Sequence, residues 1–104
     1  IHTNSSINPT AQGAEAYVYR FGGEAERLAE SILEAISDRL GSVNRGVFEA
    51  NFAVLRRTRM PAALVELGYL TNATEALNLN SPAWQRAVAE AIAVGIVSEV
   101  GPSI

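Results

Sequence analysis

The chain has 104 residues, 48% hydrophobic and 18% charged, and its acidic and basic groups leave a formal net charge of −3. That balance fits one globular domain or part of one, with a single modest core, and argues against a nucleic-acid binder, which would present a basic surface. The absence of cysteine excludes a disulfide framework, a cysteine zinc site and a thiol nucleophile. The apolar stretch 91–97 lies between Glu90 and Glu99 and falls far short of the ~20 residues that a membrane span requires. The first residue is Ile1 and the one methionine is Met60, so the chain is expected to begin where a precursor or longer parent was cut.

Ile1 and His2 read as the tail of a strand running into a polar, turn-rich loop with Asn4, Ser5, Ser6, Asn8 and Pro9. Residues 13–20 carry aromatic and β-branched residues in a short window, with Tyr17 and Tyr19 on one face at period two, which predicts a strand. Gly22-Gly23 opens a helix. Its first turn holds Glu24 and Glu26, where the helix dipole favours carboxylates, and Leu28, Ile32, Ile36 and Leu40 recur every fourth residue, widened by Ala25, Ala29 and Leu33. Gly41 follows the last apolar position, as a left-handed cap requires.

Asn44-Arg45-Gly46 reads as a turn, followed by the short apolar piece 52–55 and by Arg56, Arg57 and Arg59. Pro61 opens the most hydrophobic segment, Ala62-Ala63-Leu64-Val65-Glu66-Leu67, which predicts a strand buried on both faces, as in a parallel sheet covered by helices. Asn72 with Glu75 resembles an N-capping pair for a short helix ending near Leu79. Ser81-Pro82 starts a last helix with Trp84, Val88, Ile92 and Ile96 on one stripe. The alternation of strands and helices predicts α/β, a mixed or mainly parallel twisted sheet flanked by helices.

Glu66 is the strongest local anomaly, because an ionisable group inside Ala-Leu-Val-Glu-Leu-Gly must be paired, bound to a metal system, or placed where a strand emerges into a cleft. Ligand sites of open α/β sheets lie at such strand ends. On pattern alone the plainer account is a carboxylate neutralised by one of the arginines or surfacing at the strand end. His2 is the only histidine, and one histidine without cysteines falls short of the three or four ligands of a zinc site. The cluster Arg56, Arg57, Arg59 could bind substrate carboxylates, but a solvated loop face is the simpler account. Tyr17, Tyr19, Phe52 and Trp84 are expected in the core.

Three segments together resemble the zinc-dependent N-acetylmuramoyl-L-alanine amidases of the amidase-3 type. They are Ile1-His2-Thr3-Asn4; Asn44-Arg45-Gly46-Val47 leading to Phe52-Ala53-Val54-Leu55-Arg56; and the most specific block, Met60-Pro61-Ala62-Ala63-Leu64-Val65-Glu66-Leu67-Gly68-Tyr69-Leu70-Thr71-Asn72. The similarity continues in order through Gln85 and the last helix. The resemblance implies a Zn2+ held by two histidines and a glutamate, with a further glutamate acting on the metal-bound water. By position, His2 matches the last histidine ligand and Glu66 the catalytic glutamate.

The implied reaction is cleavage of the amide between N-acetylmuramic acid and the L-alanine of the stem peptide in peptidoglycan. The implied location is outside the cell membrane, in the cell wall or periplasm. The family's first histidine and its glutamate ligand precede the segment matching Ile1, along with the early strands of the sheet. Residues 1–104 are therefore expected to be the C-terminal portion of a single catalytic domain, whose zinc site an upstream segment or second chain completes. Alone, the chain is expected to bind zinc poorly and to turn over little or nothing. The alternative from another class is a non-catalytic wall-binding module or inactive fragment of the same fold. Asn4 and the arginines remain unassigned candidates for substrate contacts.

Overall fold

The computed structural model describes residues 1–101. In chain order these form β1 (His2–Asn4), β2 (Ala14–Val18), α1 (Glu24–Leu40), β3 (Asn44–Glu49), α2 (Ala53–Arg56), β4 (Leu64–Tyr69), α3 (Ala73–Leu79) and α4 (Pro82–Val100). The strands make one sheet in the order β1-β4-β2-β3. β1 runs parallel to β4 and β2 parallel to β3, whereas β2 and β4 are antiparallel, so the sheet is mixed.

Alternation along β2 decides which face the helices cover. Ala14, Ala16 and Val18 are fully buried and join Val65 of β4 in a cluster with Ala29, Ile32, Leu33 and Ile36 of α1 and Val88 and Ala91 of α4. The apolar stripe of α1 thus lies on the sheet as its fourfold spacing requires, and Gly41 ends it at φ 74°, its N–H donating to the Ser37 carbonyl at 2.9 Å. α4 packs against α1 through smaller residues than its large-side-chain stripe predicts. Val88, Ala91 and Gly95 are the buried positions, Trp84 and Ile92 pack at the margin of the core, and Ile96 is exposed. The reason is proximity: a Cβ on Gly95 would come within 2.6 Å of the Ile32 Cα, and the Ser31 hydroxyl donates to the Gly95 carbonyl at 2.8 Å. Helices that close accept only small residues along their seam.

Three local expectations are corrected. The segment Asn44-Arg45-Gly46 is not a turn but the start of β3, where the extra residue of a bulge sits. Ala14 and Ala16, two apart, face Asn44 and Val47, three apart, and Gly46 takes up the difference at φ 97° while the Asn44 side chain accepts its N–H at 2.9 Å. The apolar segment after Pro61 becomes extended sheet only from Leu64, and its neighbour β2 is antiparallel to it. Phe52 is not in the core; it is 42% exposed at the N-cap of α2.

The starts of α3 and α4 follow their sequence signals. Asn72 accepts from the Glu75 N–H at 3.1 Å and Ser81 from the Trp84 N–H at 3.3 Å. The Glu75 carboxylate, however, accepts from the Tyr69 N–H at 2.8 Å and from the Gly13 N–H, clamping the end of β4 to the start of β2.

Candidate active site

The face of the sheet turned away from α1 carries the polar residues. Because β2 alternates, Glu15 and Tyr17 project there; because Glu66 is the antiparallel partner of Glu15, it projects beside it. His2 is in turn the parallel partner of Glu66. A second bulge completes the set. His2 and Asn4, two apart, face Glu66 and Tyr69, three apart, so the extra residue in β4 turns Tyr69 to the same face as Glu66.

The two carboxylates have opposite surroundings. Glu15 is 5% exposed and accepts from the Tyr17 hydroxyl at 2.5 Å, the Tyr69 hydroxyl at 2.8 Å, the Asn4 amide at 3.1 Å and Arg45 Nε at 3.1 Å. Burial pushes its carboxyl up, but the hydrogen bonds from Tyr17, Tyr69 and Arg45 outweigh burial and hold it below the usual carboxylate range. The bond to Glu15, reinforced by burial, pushes the Tyr17 phenol up to about 12. Tyr69 also moves up, through burial and then the same carboxylate.

Glu66 has a side chain only 14% exposed, and its Oε2 is buried with no hydrogen-bond partner. Its Oε1 lies 3.8 Å from His2 Nδ1, on an imidazole that is 62% exposed. Burial raises the Glu66 carboxyl above its ordinary value and the charge of Glu15 adds to this, against the opposing effect of His2 and the Ile1 amino group. Two neighbouring carboxyls thus divide: the hydrogen bonds on Glu15 favour its anion, and the burial of Glu66 favours its protonated form. An open cleft of about 490 Å³, lined by Ile1, His2, Phe52, Val54, Leu64 and Glu66 among others, lies against it.

His2 and Glu66, the two site residues expected from the sequence, therefore meet on adjacent strands. Arg56, Arg57 and Arg59 do not join them; all three are exposed, and Arg56 bonds the Asn51 side chain. Tyr17, expected in the core, belongs to the polar face, with its ring against Phe48 and Phe52. Glu15, Arg45 and Tyr69 were not anticipated as a unit. The signal for Glu15 was the same as for Glu66, a carboxylate inside the apolar strand sequence Gly-Ala-Glu-Ala-Tyr-Val. One imidazole and one carboxylate with a bare oxygen are suitable zinc donors, but among the described residues no three His, Cys, Asp or Glu side chains are grouped to hold a metal.

Residues 1–98 match the family model of N-acetylmuramoyl-L-alanine amidase, Amidase_3. The chain belongs to this amidase family. It is 36% identical over 101 residues to the N-acetylmuramoyl-L-alanine amidase LytC of Bacillus subtilis, covering 94% of this chain and 20% of LytC. It is 35% identical over 96 residues to the probable cell wall amidase LytH of Staphylococcus epidermidis, covering 92% of this chain and 32% of LytH. The structure of the amidase AmiC2 of Nostoc punctiforme matches with a TM-score of 0.87 at 37% identity, covering 96% of this chain and 55% of that one. The chain spans between a fifth and about half of the length of these curated relatives and of AmiC2. The mixed α/β sheet and its flanking helices are thus the amidase-3 fold, and His2 and Glu66 stand on neighbouring strands within it.

Proposed function

We propose that this chain is the C-terminal portion of the catalytic domain of a peptidoglycan amidase that cleaves the amide between N-acetylmuramic acid and the L-alanine of the stem peptide. The observation that carries the reading is the pairing of His2 with Glu66 at 3.8 Å beside a cleft, with one Glu66 oxygen buried and unpartnered. Family membership supports the bond that is cut. Glu66 takes a proton from the attacking water and returns it to the departing alanine nitrogen, a role that a carboxyl raised by burial suits.

His2 would hold Zn2+ through an imidazole nitrogen. Zinc, when bound, polarises the amide carbonyl and brings the pKa of water to about 7. A catalytic zinc takes three protein ligands, so residues of an upstream segment or a second chain complete the site. The phenol of Tyr17 and the amide of Asn4 fix Glu15 beside Glu66. The likeness to LytH, a probable cell wall amidase, supports a location in the cell wall, with secretion or the periplasm as the wider form of the same reading. None of the helices described is long and apolar enough to cross a membrane.

Zinc calorimetry on this chain and on a form extended upstream along the parent sequence, each with His2→Ala, tests the reading. Tight binding is expected only in the extended form and is expected to vanish with His2→Ala. Glu66→Gln in the extended form is expected to keep zinc and lose hydrolysis of muramoyl-alanine amides by a factor of ~100 to 10,000. Weak, His2-independent binding in both forms would transfer the case to a wall-binding module without catalysis, and undiminished hydrolysis by Glu66→Gln would remove Glu66 from its role.

A further inference from the structure

Glu75 is the third residue of α3, after the N-cap Asn72, a position from which a glutamate commonly reaches back to the N–H of the cap. That N–H donates instead to the Tyr69 carbonyl at 3.1 Å, which leaves the Glu75 carboxylate free to leave its own helix. Both of its partners belong to the sheet. The Tyr69 N–H donates to Oε1 at 2.8 Å, and the Gly13 N–H donates to Oε1 at 3.1 Å and to Oε2 at 3.0 Å. Gly68 makes the room, since a Cβ there would stand 3.2 Å from Oε1.

The two N–H groups belong to the segments that carry the paired carboxyls. Tyr69 lies three residues after Glu66 on β4, and Gly13 lies two residues before Glu15, just ahead of β2. Glu15 and Glu66 are direct antiparallel partners, so Glu75 bridges the two strands just beyond that pair. Tyr69 is thereby held at both ends: its N–H by Glu75, and its hydroxyl by donating to Glu15 at 2.8 Å. The register shift of β4 against β1 falls between Glu66 and Tyr69, where the ladder with β1 fixes the backbone least. A slip of one residue there would turn the Tyr69 ring to the covered face and deprive Glu15 of a donor.

We propose that Glu75 is a positioning residue for the Glu15–Glu66 pair: by fixing the Tyr69 backbone beyond the bulge it aims the Tyr69 hydroxyl at Glu15, and so sets the carboxylate against which Glu66 stands. That Glu66 is the reacting group rests on the function proposed above. The role depends on reach and not on charge, because both N–H groups already meet one oxygen.

Two substitutions separate reach from charge. Glu75→Gln keeps an oxygen in the place of Oε1, whereas Glu75→Asp keeps the charge at the helix start but is one methylene too short for both N–H groups. Tyr69→Phe removes the hydroxyl itself and sets the scale. Carboxyl-carbon NMR of glutamate-labelled protein, in the form extended upstream along the parent sequence, follows the titration of Glu15, with near-ultraviolet circular dichroism reporting whether each variant is folded. Tyr69→Phe is expected to raise the Glu15 carboxyl, because it deletes one of the bonds that lower it. Glu75→Asp is expected to raise it too, Glu75→Gln to leave it as in wild type, and Glu75→Asp to add nothing in the Tyr69→Phe background. A role confined to the helix start predicts the reverse, with Glu75→Asp silent and Glu75→Gln destabilising. Wild-type Glu15 behaviour in a folded Glu75→Asp, or an effect that adds to Tyr69→Phe, would overturn the proposal. If Glu75→Asp does not fold, Gly68→Ala, whose methyl presses on Oε1, takes its place with the same two outcomes. In the same extended form Glu75→Asp is expected to lower kcat on a muramoyl-L-alanine amide by about 10- to 100-fold with zinc affinity unchanged, and an unchanged kcat would overturn the positioning of Glu66. No hydrolysis by the extended wild type would overturn the reading of Glu66, while the NMR comparison still decides whether Glu75 positions Glu15.

Discussion

The two faces of the sheet are built from the same strands by different chemistry. On the covered face Ala14, Ala16, Val18 and Val65 are small or β-branched and meet the apolar stripe of α1. On the open face the residues between them, Glu15, Tyr17 and Glu66, join Asn4, Arg45 and Tyr69 in a polar layer drawn from all four strands. Apolar packing is non-directional and tolerates exchange of similar volumes. A buried carboxylate with four donors is directional and fails if any partner is left alone. The open face is therefore expected to be the more sensitive to single polar substitutions, although it is the less covered.

Glu15→Gln sharpens that contrast most. A neutral amide accepts less strongly and confronts the hydroxyls and guanidinium with its own donors, so a loss of about 3 kcal/mol in urea unfolding at pH 7 is expected. The pH dependence has a definite sign. The Glu15 carboxyl lies below its ordinary value of 4.5 in the folded chain, so the stability it contributes is present above pH 4.5 and fades as pH falls through the folded value. The gap between wild type and Glu15→Gln is expected to close on acidification. A constant gap down to pH 3 would show that shape, not charge, holds the layer.

Gly95→Ala probes the covered side. The substitution removes a helix-interior glycine, which favours alanine by up to about 1 kcal/mol. Against this, the new methyl meets backbone of α1 at 2.6 to 2.9 Å, which no side-chain rotation relieves. The clash wins, and a net loss of about 2 kcal/mol is expected in thermal or urea unfolding. An unchanged midpoint would mean that α1 and α4 separate without cost.

Much of this was legible in the sequence, and the failures have physical causes. Helix α1 announced itself because one stripe, one acidic first turn and one glycine cap agree. Ser81-Pro82 and Asn72 marked helix starts for the same reason, a side-chain acceptor meeting free N–H groups. Glu66 was legible as a charge among apolar neighbours, and His2 only through its resemblance to a family motif. Asn44-Arg45-Gly46 misled because a bulge uses the same residue types as a turn, and only pairing with β2 distinguishes the two. Phe52 looked like core because hydrophobicity alone does not say that a residue caps a short helix beside a cleft. The Glu15 layer stayed hidden because its members lie as far apart as Asn4 and Tyr69 in the chain and meet only through register.

Glu66→Gln has the smallest expected effect on stability and the opposite sign. Burial has raised the Glu66 carboxyl, its Oε2 lacks a partner, and Glu15 stands beside it, so the ionised form is held at a cost in the folded state. A raised carboxyl favours folding below its unfolded value near 4.5 and loses that contribution as pH rises through the folded value. At pH 7 the variant is therefore expected to be more stable than wild type by up to about 1 kcal/mol, a shift of a few degrees in melting temperature. At pH 4, where Glu66 is largely protonated, the two are expected to melt together. Glu15→Gln in the same series is expected to run the other way, losing stability at pH 7 and recovering parity in acid. Opposite slopes from two carboxyls that are direct partners across β2 and β4 would separate a residue that holds the open face together from one whose strain is kept for chemistry. Parallel slopes would mean that both are structural and that the burial of Glu66 has no functional content.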